Sequence, residues 1–155
     1  VMEPWLQPLA VQQARRICAS FQQWTGRSLL PHPAEDDLGL AQQLFHWSQP
    51  VLSHGCETDP VLNYGNHAAL TLWELSWPEL VQLPSRLTAE PMAQEERARL
   101  LAAAARQGYA NNYSGVRISR SGRRFRIENA WIWTVLDETG NPIGQAATFN
   151  QWQFL

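Results

Sequence analysis

Lysine is absent from this 155-residue chain, and all twelve basic side chains are arginines. Fourteen acids offset them to a formal charge of −2, so the basic excess of a general nucleic-acid binder is missing. Cysteine is scarce. Cys18 and Cys56 lie far apart in different surroundings and fit no secreted disulfide framework. No apolar run approaches the roughly 18 residues of a membrane helix. The opening Val1-Met2-Glu3-Pro4-Trp5 lacks the basic region and apolar stretch of a signal peptide. These absences set the expectation of a reduced, cytoplasmic protein. Charge is sparse at 17% while hydrophobic residues reach 45%, which excludes a disordered chain. Eight tryptophans are present, in a length that suits one domain with a continuous core.

The sparse charge is unevenly divided. Residues 1–105 hold six arginines and eleven acids, and residues 106–155 six arginines and three acids. No repeat or Gly/Ser linker separates the halves. The pattern describes one electrostatically polarised domain.

Between Pro8 and Gly26, Ala14, Ile17, Cys18, Phe21 and Trp24 recur at three- and four-residue steps, which marks a helix face. A second helix is expected after Pro33, with Glu35, Asp36 and Asp37 at its positive end and Leu38, Ala41, Leu44 and Phe45 as its stripe. Val51 to His54 and Val61 to Tyr64 read as short strands. Asn66 caps a helix through Trp73, Ser76 caps a turn at Trp77-Pro78-Glu79-Leu80, and Met92 to Gln107 form a longer helix ended by Gly108. Tyr113 to Ser119 and Phe125 to Leu136 flank the hairpin Arg120-Ser121-Gly122-Arg123. A last strand is expected from Ile143 to Trp152. The sum is an α+β domain with a five-stranded antiparallel sheet, its helices on one face, preceded by two N-terminal helices.

Asn66 to Trp73 with Ser76-Trp77-Pro78-Glu79-Leu80, the hairpin Arg120 to Phe125, and Asp137-Glu138-Thr139-Gly140 with Ile143-Gly144 resemble the signatures of PAS sensory domains. Ser53-His54-Gly55, Asp59-Pro60, Asn63-Tyr64-Gly65-Asn66 and Leu83-Pro84-Ser85-Arg86-Leu87 resemble more specifically the PAS-related MEKHLA family. The resemblance spans about residues 35–152. It divides the chain into a helical extension, 1–34, and a PAS-like MEKHLA domain, 35–155. It implies a sensory or interaction module without catalysis, and it names no ligand. Flavin-adduct PAS relatives carry a cysteine where the best-matching stretch here has Ser85, and a hydroxyl cannot replace a thiolate in that chemistry. Helix 92–107 offers no histidine as a haem ligand. Both cofactors are therefore disfavoured and the cofactor stays unassigned.

Alternation along 125–136 places Phe125, Ile127, Asn129, Trp131, Trp133 and Val135 on one face. Asn129 reads either as a polar anchor in a ligand pocket or as an amide satisfied by local backbone or water. The pocket candidates are Asn129, Trp131 and Trp133, with Tyr64, Gln145 and Phe149. On the other face, Ile132 and Leu136 form an apolar strip that needs cover from helix 8–25 or from a second copy in a homodimer.

His54, Cys56, Glu57, Asp59 and His67 offer the one cluster with acid–base or metal potential, without the spacing of a structural zinc site. A His54–Asp59 pair in a small α+β cone enzyme of isomerase or dehydratase type is the alternative function, and it requires both side chains to reach one cavity. Arg117, Arg120, Arg123, Arg124 and Arg126 gather at the second hairpin. They read as a docking patch for an acidic partner or as a solvated hairpin paired with nearby acids. Nucleic acid and membrane are not expected partners.

Overall fold

The computed structural model describes residues 3–155. A short 3-10 turn, Pro4–Leu6, leads into helix α1, Pro8–Thr25. Proline fits the first helical position because its missing N–H would be unpaired there anyway. Gly26, at φ 72°, ends the helix in the left-handed conformation. Helix α2, Asp37–His46, starts where the Asp36 carboxylate accepts from the Gly39 N–H. Strands β1, Val51–His54, and β2, Leu62–Gly65, come next. Helices α3, His67–Trp73, and α4, Trp77–Leu80, follow with the expected caps. The cap of α4 is a full capping box between Ser76 and Glu79. Helix α5, Pro91–Gln107, precedes strands β3, Tyr109–Ile118, β4, Arg124–Leu136, β5, Pro142–Thr148, and β6, Gln151–Phe154.

All pairings within the sheet are antiparallel, in the order β2-β1-β5-β4-β3. The expected last strand is broken in two. β5 pairs the C-terminal half of β4 and β6 pairs its N-terminal half, with the break at Phe149–Asn150. Opposite that break, Asn129 takes φ 53°. This left-handed conformation is one that asparagine tolerates better than most residues, and it interrupts the pleat as a bulge does.

The interruption reverses the alternation. Phe125 and Ile127 share a core cluster with Ala130 and Ile132, whereas Trp133 and Val135 belong to a second cluster with α1 and α2. Both faces of the sheet are covered, the inner by α3 and α5 and the outer by α1, the cover that helix 8–25 was expected to offer. The apolar strip on its outer side consists of Trp131, Trp133 and Val135 in place of Ile132 and Leu136, and α1 of the same chain covers it. Trp133 is fully buried. Its Nε1 donates to the Ile17 carbonyl at 3.1 Å, and its ring meets Phe21 edge-on at 4.9 Å. Trp24 Nε1 donates to the Thr134 carbonyl at 2.9 Å, and Leu136 N–H donates to Ser20 Oγ at 2.8 Å. Arg15 and Arg16 clamp Glu138, just past the end of β4.

Candidate functional site

Between the inner face of the sheet and helices α3 and α5 lies a cavity with about 50 Å³ in which the centre of a water molecule can move. One water needs about 10–15 Å³ by that measure, so the space suits a few waters or a small ligand. Its walls are mostly apolar. Ile127, Ala130 and Ile132 of β4 form the floor, Trp73 and Leu101 the helix side, and Phe149 one end. Gln145 spans the gap, its Nε2 donating to the Leu101 carbonyl at 2.9 Å and tying α5 to β5. Helix α5 buries only Ala104 fully.

Of the six pocket candidates, Gln145 and Phe149 line this cavity. Asn129 does not. It is exposed, and its amide donates to Gln151 Oε1 at 2.6 Å. Trp131 and Trp133 face α1, because the left-handed residue at 129 shifts the parity of everything after it. Tyr64 is buried in the same outer cluster, edge-on to Trp77, and its hydroxyl has no hydrogen-bond partner. Burial raises its pKa.

Besides Gln145, the cavity meets His54 and Arg117, which the sequence singles out for other roles, and Arg97, which it does not mark. His54 lies at its edge, 8% exposed. Its Nδ1 lies 2.8 Å from the Gly55 carbonyl, while Nε2 is buried without a partner. A carbonyl only accepts, so the proton sits on Nδ1 and Nε2 presents a lone pair. Burial, and then the charge of Arg97, depress its pKa. Arg97 reaches the cavity from α5, and Arg117 from β3. Arg117 leaves the expected hairpin patch altogether. It is 5% exposed, donates to the Val116 carbonyl and the Tyr113 hydroxyl, and lies over the Tyr113 ring. A basic residue at alternating spacing could have signalled an inward arginine on β3, but nothing marked Arg97 among its helix neighbours.

The other hairpin arginines do not form a common free patch. Arg120 pairs with Glu79 and Arg124 with Glu90, and Arg123 stacks on Phe154 at 3.4 Å. Arg126 is exposed and makes no ion pair among the described residues. The His54–Asp59 pair is not formed either. Asp59 points to solvent and pairs with Arg86 at 3.2 Å, so the two groups the enzyme alternative needs are separated. Among the described residues no three His, Cys, Asp or Glu side chains are grouped to hold a metal. Cys56 is exposed, whereas burial pushes the Cys18 thiol up to about 12. No described helix is long and apolar enough to cross a membrane.

Solved structures share this architecture. The PAS domain of a protein from Colwellia psychrerythraea superposes with a TM-score of 0.62 at 14% identity, over 74% of this chain and 92% of that one. A light-oxygen-voltage domain studied with a flavin analogue gives 0.59 at 15% identity, over 78% and 86%. At such identities the likeness is one of fold. Curated relatives include the homeobox-leucine zipper protein HOX10 of Oryza sativa subsp. indica, 30% identical over 149 residues. Another is ATHB-9 of Arabidopsis thaliana, 28% identical over 152. Each alignment covers 96% of this chain but only 18% of the relative's length. The family model of the MEKHLA domain matches residues 11–154, a span that begins inside α1 and takes in both N-terminal helices. With a PAS-like α+β fold and that near-complete match, the chain belongs to the MEKHLA domain family.

Proposed function

We propose that this chain is a PAS-like sensory or protein-interaction module. A small ligand enters the cavity between sheet and helices, and the response is a change in how α1 packs on the other side of the sheet. The observation that carries this reading is the arrangement of β4. Ile132 projects into the cavity, while its neighbours Trp131 and Trp133 lie under α1, with Trp133 hydrogen-bonded to the Ile17 carbonyl. One strand thus touches the ligand space and the helix at consecutive residues. Close-packed interiors transmit displacement instead of absorbing it, and a ligand shifts the helix only through its different affinity for the two packings.

Filling the cavity covalently tests this without knowledge of the ligand. Ala130→Leu places a branched side chain in the space beside Ile132. Amide hydrogen exchange should then change across residues 14–24 of α1 while α2 keeps its protection. A folded variant with unchanged exchange in α1 would refute the coupling.

A further inference from the structure

The cavity gathers positive charge and holds no negative charge. Arg97 and Arg117 both line it, and no carboxylate does. Neither guanidinium has an ion pair among the described residues. Arg117 spends its donors on one carbonyl and one phenol, leaving others of its five N–H groups unused. Removing an arginine from water without a counter-ion is costly, and here two are brought close enough to affect each other. The Arg97 guanidinium is brought down to about 10, first by burial and then by the charge of Arg117. Glu57, the acid His54 senses, is exposed and accepts instead from the Val61 N–H. A second feature is independent of the arginines: His54 lines the same cavity, is only 8% exposed, and has its Nε2 buried without a partner. The site therefore presents unspent guanidinium N–H groups and an unpaired imidazole nitrogen among walls that are mostly hydrocarbon.

Building on the sensory reading above, we infer that the ligand is a short-chain hydroxy acid. Its carboxylate lies against Arg97 and Arg117, a planar pairing that guanidinium favours over ammonium. Its hydroxyl donates to His54 Nε2, and its carbon chain rests on Leu101, Ala130 and Ile132. The small volume limits the chain to a few carbons, and the apolar walls disfavour inorganic oxyanions, which have no apolar part to bury.

Calorimetric titration of the full chain with sodium 3-hydroxybutyrate, sodium butyrate and 3-hydroxybutyramide tests each element. The hydroxy acid should bind at least tenfold more tightly than its neutral amide and severalfold more tightly than butyrate. Arg97 lies on α5 without an ion pair among the described residues, so Arg97→Met should fold, as far-UV circular dichroism would verify, and bring acid and amide within about twofold. His54→Phe should erase the difference between the hydroxy acid and butyrate. Equal binding of acid and amide, or unaltered acid binding by folded Arg97→Met, would overturn the anion site while leaving a ligand cavity in place. Equal binding of hydroxy acid and butyrate would overturn the role of His54. If none of the three binds and xenon does not perturb the cavity methyls by NMR, the cavity reading fails with the inference.

Discussion

Asn66 ties four segments of the fold together through one amide, and replacing it by alanine has a magnitude that can be worked out. It is fully buried. Its Oδ1 accepts from Val51 N–H at 2.9 Å and Ala69 N–H at 3.1 Å, and its Nδ2 donates to the Leu44 and Gln49 carbonyls at 3.1 and 2.8 Å. One amide thus joins the end of α2, the lead-in to β1, β1 itself and the first turn of α3. Asn66→Ala removes the cap of α3, at about 1 kcal/mol, and leaves the buried Val51 N–H unpaired, at about 1–3 kcal/mol. Leu44 keeps a second donor in Trp47 N–H, so the additional loss falls mainly on Gln49. The expected total is about 3–5 kcal/mol, a large share of the ~5–15 kcal/mol that holds a domain together. At about 2–4 °C per kcal/mol for a chain of this size, the melting temperature should fall by roughly 10 °C. Urea unfolding followed by tryptophan fluorescence measures it directly. Asn66→Asp provides a check with a sign. It keeps the acceptor but turns a carboxylate oxygen toward two carbonyls, so its folded pKa rises above the unfolded value. Its stability should therefore be greatest below that unfolded value, about 3.9, and decline as pH rises through the folded pKa. A loss below about 1 kcal/mol for Asn66→Ala with an unchanged denaturant slope would refute the reasoning.

Two further outcomes are expected. Gly144, at φ 153°, has no room for a methyl group, since a Cβ would stand 1.9 Å from the His54 carbonyl oxygen, whereas Gly122 at φ 90° in the hairpin has nothing within 4 Å. Gly122→Ala should cost only backbone strain, about 1–3 kcal/mol, and Gly144→Ala distinctly more in the same urea assay, because β1 must separate from β5. Glu138 is held down to about 2, first by its hydrogen bond to Arg16 and then by the charges of Arg16 and Arg15. The depressed pKa means that its contribution is present above the unfolded glutamate value of about 4.3 and disappears as pH falls towards 2. Glu138→Gln should therefore be less stable than the parent at pH 7 and equal to it near pH 2, and a difference that persists at pH 2 would show the clamp is not electrostatic.

Most of the fold was legible because it is written in local signals. The caps at Asn66 and Ser76, the acids at the start of α2, the stop at Gly26 and the spacing of Ala14, Ile17 and Phe21 act through neighbours within four residues. The site was legible only in part. Gln145 and Phe149 line the cavity, whereas Asn129, Trp131 and Trp133 do not. Strict alternation along β4 requires an unbroken pleat, and a single residue at φ 53° exchanges the two faces from there onward. An asparagine inside an aromatic strand was a usable warning, since it is a poor strand former that accepts the left-handed region. The paired arginines tell a similar story. Their partners Glu79 and Glu90 lie 41 and 34 residues away, beyond the reach of any local pattern.

By itself, then, the sequence determined the order of elements, the capped helix starts, the antiparallel sheet and the family, since each depends on residue type at short spacing. Only the tertiary structure decided which way β4 faces, that α1 seals the outer sheet with Trp133, and that Arg97, Arg117 and His54 converge on one small cavity without an acid. Those outcomes depend on one backbone torsion and on contacts between segments distant in the chain. Direction and convergence are properties of the packed chain, and composition and periodicity carry no record of them.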